Sequence, residues 1–251
     1  MPFFIAQGGT SLYQMTTAGV ATALTLPTGV TLDSTLRLRG AVLGGLSVLV
    51  GSTSENITVD KFGTVRRLVP RQPATPMTLA GGSAGSLSGA YIGWVTFKIK
   101  DVDGNVLAES NFSPAATSVT ITSKMLRASV LPTMSESIPT GTSVSRQLYR
   151  STTAGAVKFP WLEVEGNTIL TVEDDLSDAG LQLIAAATDF GSPPKFELIV
   201  AWKNRLWGKP VAEPDTLYQS GNGKAYAFPS GRTFPIPPTN ADTTGISGFL
   251  P

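Results

Sequence analysis

Among its 251 residues the chain has neither cysteine nor histidine. Without thiols there are no disulfides, no thiolate nucleophiles and few routes to structural zinc. Without imidazole the usual general base, the usual triad partner and the commonest metal ligand are missing together. Catalysis would have to run on carboxylates, Lys, Tyr or Ser alone, so the expectation is a protein that is not an enzyme and holds no cofactor or metal. Charge is scarce as well, at 15% of residues against roughly 25% in an average soluble domain. The net charge of +1 gives no global field to gather nucleic acid or an anionic membrane. Long apolar runs are lacking too. "AVLGGLSVLVG" is about half of what a bilayer crossing needs and is broken by a Gly pair. The N-terminus "MPFFIAQGG" has no basic residue ahead of its apolar run, so neither a secretory leader nor a membrane partner is expected.

Helical periodicity is nearly absent, and alternation between turn signals takes its place. Gly 26 and Pro 18, spread along the chain with Ser and Thr, suit short strands joined by many turns. "TSLYQMTTAGVATALTLP" reads as a hairpin turning at Gly19. "LRLRGAVLGGLSVLVG" reads as a second, turning at Gly44-Gly45, where two residues with positive φ make a tight loop. "NITVDKFGTVRRLVP" is a third, with Gly63 at its turn. "FELIVAWKNRLWGKP" turns at Lys203-Asn204, and "DTLYQSGNGKAYAFP" at Gly221-Asn222-Gly223. At an offset of 160 positions residues 42–69 overlie 202–229 without gaps, pairing Leu46 with Leu206, Ile57 with Leu217, Gly63 with Gly223 and Leu68 with Phe228. Leu12-Tyr13-Gln14 repeats Leu217-Tyr218-Gln219. Recurring hairpins that bury one face poorly alone point to stacked or radial β architecture. Trp202, Trp207, Tyr218, Tyr226 and Phe228 interleave with Lys203, Arg205, Lys209 and Lys224. A nucleic-acid strip needs such interleaving, but aromatic residues are also good strand formers, and the hairpin reading is preferred.

Between these hairpins lies a second kind of sequence. Residues 70–89, "PRQPATPMTLAGGSAGSLSG", read as a Pro/Gly/Ser-rich linker. "YIGWVTFKIK" then places Tyr91, Gly93, Val95, Phe97 and Ile99 on one face, with Trp94 beside Lys98 and Lys100 on the other. "VLAESNFSP", "SVTITS", "SVSRQLYRSTT" and "NTILTVEDDLSD" continue a set of six or seven short strands, the count of an immunoglobulin- or fibronectin-III-like sandwich. "DDLSDAGLQLIAAA" allows one short helical turn capped by Ser177 or Asp178. The expected fold is all-β: propeller-like hairpins over residues 1–80, a fibronectin-III-like sandwich over 81–188, and hairpins over 189–251 that pack with the N-terminal part.

"LSGAYIGWVTFKIKDVDGNVLAESNFSP", "RQLYRSTTAGAVKFPWLEVEGNTILTVEDDLSDAGL" and "AWKNRLWGKP…DTLYQSG" together resemble structural proteins of tailed-bacteriophage tails, in which a fibronectin-like module is inserted among propeller-like hairpins. The Tyr-Arg-Ser/Thr strand of such modules is matched by Leu148-Tyr149-Arg150-Ser151, the closing acidic segment by Asp174 and Asp178, and the Asn-Arg-Leu-aromatic hairpin by Asn204, Arg205, Leu206 and Trp207. The resemblance implies a non-enzymatic virion component assembled in the bacterial host cytoplasm. It would form a hexameric or dodecameric homo-oligomeric ring in the portal-proximal tail, as hub, nozzle or adaptor. Its partners would be other tail proteins and the portal, with phage DNA passing through.

No catalytic, cofactor or metal residue is assigned. Asp101, Asp103 and Asn105 in "DVDGN" open like a calcium loop but lack the later bidentate Glu. Asp174, Asp175 and Asp178 read as a solvated turn rather than a cation site. "GNGK" is no phosphate loop, because Ala225 follows Lys224 where Ser or Thr is needed. Asn56-Ile57-Thr58 and Asn111-Phe112-Ser113 fit glycosylation sequons without an accompanying leader. Arg37, Arg39, Arg66, Arg67 and Arg71 would face either a DNA channel or carboxylates of a neighbouring subunit. Two other classes of function compete. One is a carbohydrate- or receptor-binding adhesin stacking sugars on exposed Trp94 and Trp161. The other is a glycosidase pairing Asp174 with Glu163 or Glu165.

Overall fold

The computed structural model describes residues 3–136, 138, 141–153, 155–185 and 190–236. The chain divides into two compact units. One joins Met1–Val69 to Phe190–Pro251, and the other, Pro70–Asp189, is inserted between those halves. Among the described residues every regular element but one is a strand, and the five antiparallel sheets are open rather than closed on themselves.

The first unit contains three of these sheets. Strands β1 (Phe3–Gly8), β2 (Ser11–Thr16) and β3 (Ala21–Leu24) form the first. Strands β4 (Leu38–Leu43), β5 (Leu46–Gly51), β6 (Ile57–Val59) and β7 (Val65–Arg67) form the second, in that order. Both turn residues between β4 and β5 have positive φ, 60° at Gly44 and 77° at Gly45, as a two-residue hairpin requires. The third sheet, described with its partners below, is β15 (Phe196–Trp202), β16 (Arg205–Pro210), β17 (Thr216–Gln219) and β18 (Thr233–Pro235). Its tip residues Lys203 and Asn204 have the same left-handed backbone, φ 46° and 56°.

The second sheet is sandwiched between the other two. Alternate residues of β5 point to opposite sides. Val48 and Val50 pack with Phe196, Ile199, Leu206 and Phe228 of the 190–236 segment. Leu49 packs with Ile57, Val59 and Val65 against Leu12, Ile5 and Leu24 of the first sheet.

The repeat seen at an offset of 160 is present in the pairing. Ser47 faces Val59 and Val48 faces Thr58, while Trp207 faces Gln219 and Gly208 faces Tyr218. The first hairpin of each sheet departs from it: Leu43 pairs with Leu46, but Trp202 pairs with Arg205. The slip amounts to two residues along the first strand, which leaves every side chain on its original face. One expected hairpin is corrected. The partner of β17 is β18, with Leu217 opposite Phe234, and not residues 224–228. Ala225, Tyr226, Ala227 and Phe228 are all buried, because four apolar residues in succession have no polar side to give to solvent.

Among its described residues the second unit has seven strands in two sheets. Strands β8 (Thr78–Tyr91), β11 (Val119–Ser129) and β14 (Thr171–Asp174) make one, ordered β14-β11-β8. Strands β9 (Gly93–Lys100), β10 (Val106–Glu109), β12 (Ser143–Arg150) and β13 (Phe159–Glu165) make the other, ordered β10-β9-β12-β13. Leu79, Tyr91, Leu126, Ala128, Val95, Leu148, Trp161 and Leu181 close the core between them. Helix α1 (Asp178–Gln182) is capped by the Ser177 side chain accepting from the Gly180 amide.

The expected linker over 70–89 is overturned, since most of it is the 14-residue strand β8. Its pairing with β11 shifts register twice, between Ile121 and Lys124 and again before Leu126. At these bulges carboxylates of β14 and of the residue that follows it take the amides that a regular ladder would pair. Glu173 Oε2 accepts from Ser83 N at 3.0 Å, and Asp175 Oδ1 from Ser86 N at 2.7 Å. A Cβ at Gly85 would stand 2.5 Å from the Met125 amide nitrogen, so only glycine allows this approach.

Leu206→Ala, at the buried contact between the second and third sheets, is expected to cost about 2–5 kcal/mol by urea unfolding. Val42→Ala, on an exposed position, is expected to stay within about 0.5 kcal/mol.

Candidate functional site

Asp101, Asp174, Asp175 and Asp178 are already held by nitrogen donors of their own neighbourhood. Asp101 Oδ1 accepts from the amides of Asp103 and Asn105 at 3.0 and 2.8 Å, and Oδ2 accepts from Asn105 Nδ2 at 3.0 Å. This is an Asx-type turn closing the β9–β10 hairpin. The Asn105 side chain, followed by local amides, holds the carboxyl below its usual pKa. Asp174 Oδ2 accepts from Trp161 Nε1 and from the Leu176 amide, both at 2.8 Å. Asp175 takes Ser86 N, and Asp178 takes Arg150 Nη1 and Thr153 N, each at 2.7 Å. The three point at different donors. No group of three or more acidic side chains placed to hold a metal ion occurs among the described residues.

Arg150 and Asp178, which belong to two motifs far apart in sequence, are brought into one ion pair. Arg150 is fully buried. It also donates to the Ser151 and Leu176 carbonyls and lies 5.2 Å over the Tyr91 ring. Burial opposes ionisation of Asp178, yet the bonds from Arg150 and Thr153 outweigh it and lower the pKa. The pair fastens α1 to β12 and is structural.

Trp94 and Trp161 are 8% and 7% exposed, so neither offers the open ring face on which the competing adhesin reading relied. Lys158 Nζ covers the Trp94 ring at 5.0 Å. Trp161 is turned into the core by the register shift between Leu148 and Tyr149. Glu163 does not meet Asp174. It sits opposite Gln147 and accepts from Ser145 Oγ at 2.5 Å and from Lys98 at 3.0 Å, with Lys100 also paired to it. Desolvation raises the pKa of Glu163, but the bonds from Lys100, Ser145 and Lys98 overcome it and hold the carboxyl at about 2. Glu165 binds Lys100 at 2.7 Å. Glu163 braces β9, β12 and β13 with both oxygens engaged, while Glu165 is largely exposed beside Lys100.

The five arginines do not form one patch. Arg37 and Arg39 are exposed in the first unit, and Arg71 is exposed in the second. Arg66 and Arg67 are buried, at 4% and 5%. Arg67 pairs with Glu55 at 2.5 Å and donates to the Thr28 carbonyl at 2.7 Å. The Arg66 guanidinium finds no hydrogen-bond partner among the described residues, and burial lowers its pKa against the raising charge of Asp60. Arg146, missed by sequence reasoning, is fully buried and donates to the Ile169 carbonyl at 2.5 Å, with Nε and Nη1 unpartnered among the described residues.

What the structure does assemble at a surface is an aromatic band on the third sheet. Trp202 and Trp207 lie 6.0 Å apart by ring centroids, and Trp207 and Phe234 lie 5.6 Å apart. Trp202, Phe234 and the following Ile236 are 49%, 43% and 42% exposed. All lie on the side of the sheet away from Leu206. The basic residues around the band are engaged: Lys203 Nζ lies 4.4 Å over Trp202, Arg205 donates to the Ser220 carbonyl at 2.9 Å, and Arg232 to Gln219 Oε1 at 3.0 Å. "GNGK" is a tight turn bridged from Gly221 to Lys224 and tied to the hairpin tip by Gly223 N donating to the Asn204 carbonyl. Phe234 was not singled out from sequence. Its parity with Leu217 follows only once β18 is known to be the partner strand.

No protein family, curated protein or solved structure matches the chain. Function therefore rests on the surfaces and interiors described above.

Two outcomes are expected here. Glu163, lowered from 4.5 to about 2, contributes stability that is fully present above pH 4.5 and lost as pH falls towards 2. Glu163→Gln should cost about 1–2 kcal/mol at neutral pH after allowance for solvent screening. The gap to wild type should close across that acidic window in urea melts. Arg146→Met should be neutral or stabilising by about 1–3 kcal/mol, because it removes a buried charge with unmet donors.

Proposed function

We propose that this chain is a non-enzymatic structural protein of a tailed-phage virion that forms a ring in the portal-proximal tail, as hub, nozzle or adaptor, with DNA passing through. The observation that carries the reading is the arrangement of the first unit. Three short antiparallel sheets stack face to face, their inner faces sealed by the clusters around Val48 and Leu49. β15, which leads the third sheet, lies beside β4, which leads the second. Successive blades of a propeller stack in this way with their first strands innermost, and this supports a propeller-like character for the hairpins.

The inserted unit supports the other half of the resemblance. Its seven strands divide four and three, and the order β10-β9-β12-β13 corresponds to the C′-C-F-G order of a fibronectin-like sheet. One departure is clear. β14 joins the three-stranded sheet beside β11, whereas a fibronectin domain places its first strand on the other side, beside the second. The use of Asp174, Asp178 and Glu163 in structural bonds and the burial of both tryptophans proposed for sugar fit a protein that works through shape.

Negative-stain microscopy of the purified full chain, or of particles carrying it, tests the reading. Rings with a central hole and cyclic symmetry are expected. Monodisperse monomers at high concentration, and absence from purified particles, would overturn it.

A further inference from the structure

We infer that copies join head to tail through two defined sheet faces: the outer face of β15–β18 in one copy against the outer face of β1–β3 in the next. The inference rests on the ring reading and names the contact that would build the ring.

The stack of three sheets has two ends. At one end the outer face of the third sheet carries Trp202, Trp207, Leu217 and Phe234, which the register places together. At the other end the outer face of the first sheet carries Phe4, Ala6, Tyr13, Met15, Ala21 and Ala23, since Phe4 faces Met15, Ala6 faces Tyr13, Met15 faces Ala21 and Tyr13 faces Ala23. Phe4 is 65% exposed, and Ala21 and Ala23 are exposed. Neither face is part of a hydrophobic cluster among the described residues. Within the copy, the first sheet packs on the second and the second on the third. Placing the third sheet of one copy on the first sheet of the next continues that order, and the contact is heterologous.

Charge and shape favour this pairing over two like faces. Residues 1–32 hold no Asp, Glu, Lys or Arg, so the first-sheet face is uncharged. The third-sheet face is rimmed by Lys203, Arg205 and Arg232, and two such faces would set cations against cations. The bulky Trp202, Trp207 and Phe234 meet a surface where alanines leave room between Phe4, Tyr13 and Met15, as large and small residues alternate in a packed core. From strand spacing and rise, each face covers about 300–400 Å², roughly half of what one partner gives to a stable complex. A single contact is therefore weak, and closure of the ring supplies the rest.

The absence of cysteine makes the test direct. Ala23→Cys and Phe234→Cys are made separately and together in the full chain, with Trp202→Cys as a second reporter for the third-sheet face and urea melts confirming the fold. A short bis-maleimide should cross-link the mixture of the two single variants, give no dimer with either alone, and give a ladder with the double variant. Phe4→Lys should abolish the ladder. Rings without mixed cross-links would overturn the contact and leave the ring reading intact. A ladder without closed rings would support the contact and overturn the ring. Monomers at every concentration would overturn both. Dimers of the Phe234→Cys variant alone would show like-face pairing and overturn the inference. So would binding of a labelled single-stranded oligonucleotide that is lost on Trp202→Ala, in the absence of mixed cross-links. If mixed cross-links appear only after truncation beyond Ile236, residues 237–251 cover the face, and the inference falls.

Discussion

The two-sided burial of the second sheet is the constraint on which the first unit depends. Its central strands carry Val48 and Val50 to one side and Leu49, Ile57 and Val59 to the other, so β5 and β6 have little solvent face to spend on polar residues, while the edge strand β4 keeps exposed positions at Arg39 and Val42. A strand of near-continuous apolar character results, flanked by sheets that each have one covered and one open side. Register then becomes a matter of parity. A shift of one residue would exchange the two faces, setting Leu49 where Val48 or Val50 packs, whereas the two-residue slip between the first hairpins of the repeats leaves each side chain on its own face.

Much of this was legible in the sequence, and the failures have physical causes. Turns with positive φ announced themselves at Gly44-Gly45 and Lys203-Asn204 because few residues tolerate that backbone. The opposed faces of "GWVTFKIK" were readable because period-2 alternation survives whenever the two sides differ. β8 was missed because Gly, Ser and Ala carry no alternation, and what holds it in a ladder lies some ninety positions away in Glu173 and Asp175. β13 was missed for a related reason: the bulge beside Tyr149 breaks the parity of Trp161 and Glu163. The apolar run at residues 225–228 was taken for a strand, but hydrophobicity alone does not separate a strand from a buried plug.

The candidate residues show the same division. Motif positions in the second unit prove to be partners of one another: Arg150 with Asp178, and Trp161 with Asp174. Sequence could name these side chains but not their pairing, since long-range contacts leave no local trace. The arginines show the opposite case. A run read as a basic surface contributes Arg66 and Arg67 to the interior, where the aliphatic stems pack and the charge is tolerated only at a cost.

The insertion of residues 70–189 between the two halves of the first unit also sets an order of events at synthesis. The second sheet is complete as soon as Arg67 emerges, yet the strands that seal its Val48 side arrive more than a hundred residues later. Until then that side stands open on the nascent chain. Early collapse of the inserted unit shortens the effective loop and lowers the entropy of bringing β15 to β4. A slow-folding insertion would lengthen the interval in which the half-built stack is open to aggregation.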